Sequence, residues 1–152
     1  MPQRSVTHAT FFVERTFPYA PARVFKAFTT IEAKSKWFAG PPNVKETVRE
    51  MDFRVGGRER LHVTSPEGKG FQVDVLYQDI VPDERIVYTY DMHIDGERIS
   101  VSVATIQFKP DGSGTKVIMT EQGAFLDGLD KPEQREQGIK YQLAKLEASL
   151  KS

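Results

Sequence analysis

The run TFFVERTF from Thr10 to Phe17 places Phe11, Val13, Arg15 and Phe17 on one side of an extended chain, which predicts a first strand. Pro18 and Pro21 interrupt it. Pro21 stands where a first helical turn tolerates proline, and Val24, Phe25 and Phe28 follow at helical spacing, predicting a short helix over ARVFKAFT. Thr30 suits the cap of a second short helix, IEAKSKWF, pinned by Ile31, Trp37 and Phe38 and ended by GPPN at 40–43. Turn chemistry then recurs at Gly56-Gly57, Pro66-Glu67-Gly68, Pro82-Asp83, Asp95-Gly96 and Asp111-Gly112-Ser113-Gly114. The runs between these points have strand character: KETVREMDF, RERLHVTS, FQVDVLYQDIV, RIVYTYDMHI, RISVSVATIQF and TKVIMTEQ. Several alternate, as Val73, Val75 and Tyr77 or Ile99, Val101 and Val103 do. Parallel pairing would need far longer connections, so the pattern predicts an antiparallel meander of about seven strands.

The period changes at the end of the chain. Ile139, Leu143, Leu146 and Leu150 line one face of a helix, the longest here, with Asp130 as its expected cap, Pro132 in its first turn and Glu133 as the capping-box partner. No repeat, linker or shift of composition divides residues 1–152, which read as a single domain. The fold class is α+β: a curved antiparallel sheet gripping a long C-terminal helix, with two short helices after the first strand. Alternation leaves one sheet face wet, so the terminal helix must cover the other. A helix about 10–12 Å across does not fill the concavity of a twisted sheet of this width, and the remaining space is either packed by large side chains or left as a pocket.

Composition removes several alternatives. The chain carries 21 Lys and Arg against 21 Asp and Glu, with no long block of either sign, which argues against a nucleic-acid partner. It has no cysteine, so disulfide scaffolds, thiolate catalysis and Cys-type metal sites are excluded. No apolar run approaches the ~18 residues of a membrane span, and MPQRSVTHATFFVER lacks the pattern of a secretion leader; the expectation is a cytoplasmic protein.

At FPYAPARVFKAFT (17–29), WFAGP (37–41), MDFRVGGRERL (51–61), DIVPDERIVYTY (79–90), GSGTKVIMTEQGAF (112–125) and the terminal EQGIKYQLAKLEASL, the chain resembles the START-like (SRPBCC) superfamily. The likeness is greatest to the group named after the activator of the ninety-kilodalton heat-shock protein ATPase. It implies the helix-grip fold and a hydrophobic cavity for small lipophilic molecules. The chain departs from the family's usual pattern twice, with Glu59 where an aromatic residue is usual and Gly138-Ile139 where Gly-Trp is usual.

The residues expected around a ligand are Trp37, Phe38, Glu59, Leu61, Val63, Tyr77, Tyr88, Tyr90, Phe125, Ile139 and Leu143. Alternation allows at most one or two of the three tyrosines to point inward, where hydroxyls would orient an apolar ligand. Core packing is the competing reading for the tyrosines and for Trp37. Glu59 is a weak candidate for a general acid or base, because a buried carboxylate has its pKa raised; the expected position of both Glu59 and Glu121 is exposed, Glu121 beside a turn at Gly123. The segment GAFLDGLDKPEQ (123–134) reads as a loop, with Phe125, Leu126 and Leu129 either on the inner side of a lid or in ordinary loop packing. His8, His62 and His93 lack metal-site spacing, His62 is out of phase with Leu61 and Val63 and should face solvent, and no metal or cofactor is expected. Gly56-Gly57 precedes a strand and reads as a bend, not an anion cradle.

Three functions follow as expectations. The first is non-catalytic binding of a small lipophilic or aromatic molecule, which makes the chain more a binding protein than an enzyme. The second is a cyclase or hydrolase acting on a polyketide-like or aromatic substrate through Glu59. The third is a co-chaperone-like interaction with a heat-shock ATPase. Homodimerisation is compatible with such a domain, although no segment marks its surface.

Overall fold

The computed structural model describes residues 3–40 and 42–151. Strand β1 (Val6–Phe17) leads into two short helices, α1 (Pro21–Lys26) and α2 (Ile31–Lys34). Six strands follow: β2 (Lys45–Met51), β3 (Arg58–Thr64), β4 (Gly70–Val81), β5 (Arg85–Ile94), β6 (Glu97–Asp111) and β7 (Gly114–Leu126). Helix α3 (Pro132–Leu150) ends the chain. The strands form one curved sheet in the order β1-β7-β6-β5-β4-β3-β2, with antiparallel neighbours throughout. This is the helix-grip arrangement: a meander whose first strand returns to pair with its last.

The local reasons are those of the sequence. Pro21 opens α1, and the Thr30 hydroxyl accepts from the Ala33 amide at 3.1 Å to cap α2. Asp95 and Gly96 both have positive φ (52° and 83°), the conformation a tight hairpin needs between β5 and β6. The turn expected at 40–43 includes Pro41, which lies outside the described residues. At the bend before β3 the second glycine is obligatory, because a Cβ on Gly57 would sit 2.0 Å from the Asp52 carbonyl. Gly56 and Gly57 also pair with the backbone of Tyr77, which holds that tyrosine beside β3.

The core is densest at one end of the grip. Phe25, Phe28, Trp37 and Phe108 interlock edge to face there, with Phe28 and Trp37 ring centres 4.8 Å apart. The Trp37 indole N–H donates to the Ala27 carbonyl at 2.9 Å, which fixes the exit of α2. Leu143, Leu146 and Leu150 of α3 close this end against Val13, Phe17 and Val117 of the sheet.

Two expectations are corrected. Asp130 is not the cap residue of α3: the cap position is Lys131, whose side chain makes no cap bond, while the Asp130 carboxylate accepts from the Lys131 amide at 2.8 Å with one oxygen and from Arg135 with the other. The segment from Gly123 to Leu126 is not loop but the end of β7, paired with both β1 and β6, so the connection to α3 is only 127–131. Gly123 serves close packing and not a turn, for a Cβ there would meet the Phe125 ring at 2.8 Å and the Ser102 hydroxyl at 3.0 Å.

Candidate functional site

The inner face of β6 reads Phe108, Ile106, Ala104, Ser102 and Ser100, all buried. The first two fill the space beneath the helices. The last three are small, and beside them the sheet and α3 border a cavity of about 300 Å³ to which β6 contributes Ile99. Its floor is Val73 and Val75 of β4, Tyr88, Tyr90 and Met92 of β5, and Met119 and Glu121 of β7. Phe28, Lys34, Trp37 and Phe38 form one wall, and Arg135, Ile139 and Gln142 of α3 form the roof.

Register explains the tyrosines. Tyr77 lies directly opposite Tyr88, and Val75 opposite Tyr90, so all four share the inner face, and the expected limit of one or two inward tyrosines does not hold. Alternation restricts neighbours on one strand; it does not restrict residues paired across two.

Glu59 and Glu121 are not exposed. They are 3% and 2% accessible, and each is compensated. Glu59 shares the inner face with Leu61 and Val63; its carboxylate accepts from the Lys34 ammonium at 2.6 Å and from the Tyr77 hydroxyl. The Lys34 ammonium also lies over the rings of Phe38, Trp37 and Tyr88, at 5.0, 5.9 and 5.9 Å from their centres. At the other side of the cavity Arg135 ties four elements together. Its guanidinium donates to Glu121 (2.9 Å), the Tyr90 hydroxyl (2.8 Å), Ser100 (2.8 Å) and Asp130, while Tyr90 in turn donates to Glu121 at 2.5 Å. The buried carboxylates are tolerable because each has a cation and a hydroxyl in contact.

These surroundings set the protonation of the phenols. Desolvation first, then the negative charge of Glu59, pushes Tyr77 far above the usual tyrosine range. Desolvation and Glu121 do the same to Tyr88 and Tyr90. Burial works against the charge on Arg135, but Tyr90, Glu121 and Asp130 outweigh it and hold the guanidinium charged.

Of the residues expected at a ligand, Trp37, Phe38, Tyr88, Tyr90 and Ile139 line the cavity. Glu59, Leu61, Val63, Tyr77, Phe125 and Leu143 do not: they are buried behind the lining or beside it. Phe125 packs under the Arg135 guanidinium, 5.3 Å from ring centre to carbon, so it cannot belong to a mobile lid. Lys34 and Arg135 were missed. Arg135 stands four residues before Ile139, and continuing the apolar stripe of α3 toward its start reaches it; Lys34 lies three after Ile31 and three before Trp37, on the inward side of α2.

On the outer face, Asp74, Asp91 and His93 bring ligand atoms within 4.8 Å of one another. Arg60 and Arg98 already stand 3.1 Å from Asp74 and Asp91, and His62 is 2.9 Å from Asp74. His62 is thus on the face opposite Leu61, as expected, yet it leans on Asp74 instead of standing free in solvent. Among the described residues, no helix is long and apolar enough to cross a membrane.

Residues 18–151 match the family described as activator of Hsp90 ATPase homolog 1-like protein. The chain belongs to this AHSA1-like family. Among solved AHSA1-like folds, an uncharacterised protein of Rhizobium leguminosarum is 41% identical, with a TM-score of 0.92 over 98% of each chain. A Rhizobium loti protein is also 41% identical, with a TM-score of 0.87 over 95% of this chain and 99% of its own. An AHSA1-like protein from Aeromonas hydrophila, 20% identical with a TM-score of 0.73 over 94% of this chain and 92% of its own, shares the fold. No curated protein matches the chain.

Proposed function

We propose that this AHSA1-like chain is a binding protein for a small lipophilic or aromatic molecule, held between the sheet and α3. The observation that carries the reading is the unfilled volume between the sheet and α3, walled by Tyr88, Tyr90, Trp37, Phe38, Met119 and Ile139. Its size, about 300 Å³, lies at the lower end of small-molecule pockets, which run from about 300 to 1,000 Å³, so the occupant is compact, on the scale of one or two fused rings. Apolar walls supply affinity by removing ligand surface from water, and the Lys34 ammonium supplies a fixed donor for orientation.

An acid–base role for Glu59 draws no support from this geometry. Its carboxylate is engaged by Lys34 and Tyr77 and is not among the cavity's lining groups. The test is native mass spectrometry of protein purified from its own host, together with displacement of an environment-sensitive dye. The expected result is a bound small molecule or a saturable dye site that disappears when the cavity is filled by Ile139→Trp. Absence of both an occupant and a saturable dye site in the unaltered protein would overturn the reading.

A further inference from the structure

The charges that line the cavity cancel. Two cations, Lys34 and Arg135, face two carboxylates, Glu121 and Asp130, and Glu59 holds Lys34 from behind the wall. An anion entering this space meets no uncompensated cation. A protonated amine meets no open aromatic face, since Lys34 already lies over Tyr88 and Arg135 over Tyr90, at 5.9 and 5.6 Å from the ring centres. Either ion would give up its hydration without gaining a counter-charge of its own.

Hydrogen-bonding capacity is not balanced in the same way. Each oxygen of Glu121 already accepts, from Tyr90 and from Arg135, and each oxygen of Asp130 does so from the Lys131 amide and from Arg135. The two terminal nitrogens of Arg135 have four N–H groups and four acceptors on the chain: Tyr90, Glu121, Ser100 and Asp130. Gln134 and Gln142 of α3 add an amide each to the lining, donor and acceptor together. What remains is donors. Lys34 has three N–H groups and gives one to Glu59, and no other acceptor among the described residues takes the rest. The Tyr88 hydroxyl, also on the lining, has no hydrogen-bond partner among the described residues, and desolvation keeps it protonated.

We infer that the cavity selects an uncharged molecule that only accepts: a compact apolar or aromatic body with a carbonyl oxygen that accepts from Lys34, Tyr88 being the second free donor. The inference rests on the binding reading above and adds the ligand's charge state and the polar group it carries. Four probes with one naphthalene body separate the two: acetylnaphthalene, ethylnaphthalene, naphthoate and naphthylmethylamine, each titrated by dye displacement at near-neutral pH and moderate salt.

The ketone is expected to bind more tightly than the carboxylate and the amine. The variant Lys34→Met/Glu59→Leu, which leaves no buried charge unpaired, should weaken the ketone about tenfold, as loss of one hydrogen bond from a charged donor would give. The hydrocarbon should stay within about twofold. Tyr88→Phe should weaken the ketone by a smaller factor, again sparing the hydrocarbon. In the unaltered protein the carbonyl stretch of the bound ketone, read by infrared difference with a carbon-13 label, should lie below its frequency in hexane. Tighter binding of the carboxylate or the amine, equal losses for ketone and hydrocarbon, or an unshifted stretch overturns the inference and leaves the binding reading standing. Failure of all four probes to bind removes both.

Discussion

Two buried ion pairs decide what this interior can be, and both depend on one residue each from a helix. Removing Lys34 would leave Glu59 as an uncompensated charge at 3% accessibility, so Lys34→Met is expected to cost about 3–5 kcal/mol in urea unfolding. Replacing both partners by apolar residues removes the buried charge altogether. The double variant Lys34→Met/Glu59→Leu should therefore recover much of that loss, and simple additivity of the two single costs would contradict the account. On the outer face, desolvation tends to raise the Asp74 pKa, but hydrogen bonds from His62 and Arg60 outweigh it and hold the carboxyl below its ordinary value. A depressed folded-state pKa contributes stability above the unfolded value of about 4, and that contribution is lost as pH falls through the folded value. Asp74→Asn should accordingly shift the urea midpoint at neutral pH and leave it nearly unchanged well below pH 4.

At the scale of elements, α3 does two jobs at its two ends. Leu143, Leu146 and Leu150 pack solidly on the sheet, whereas Arg135 and Ile139 roof a hollow. Ile139 borders the cavity, and a larger ring at this position would have room to enter it. Ile139→Trp should thus abolish dye binding with little change in melting temperature, in contrast to a large side chain placed at Leu143, which meets packed core. Strand β7 has the opposite tolerance. Gly123 receives the buried ring of Phe125, so Gly123→Ala is expected to destabilise by about 1–3 kcal/mol, read from the urea midpoint, even though the site lies in a regular strand.

For the whole molecule, side-chain size falls along the inner face of β6. Where β6 presents Phe108 and Ile106, helices and sheet meet in a filled core; at Ser102 and Ser100 its inner face is polar and engages Glu121 and Arg135. At that end the ion pairs of Lys34 and Arg135 tie α2 and α3 to the sheet. Collapse of that end onto β6 would bring those charges against apolar groups and break the contacts that compensate them.

The order of elements, the antiparallel meander, the caps and turns of α1, α2 and the β5–β6 hairpin, and the buried stripe of α3 were all legible in the residues, because period and turn chemistry are local properties. Five lining residues, Trp37, Phe38, Tyr88, Tyr90 and Ile139, could be anticipated for the same reason: each lies at a phase that faces inward. Tertiary structure alone decided that Tyr77, Tyr88 and Tyr90 converge, that Glu59 and Glu121 lie inside, and that Asp130 holds Arg135 as well as the Lys131 amide. Those facts depend on cross-strand register and on which cation arrives from a distant helix, and no local pattern in a chain encodes the partner that makes a buried charge affordable.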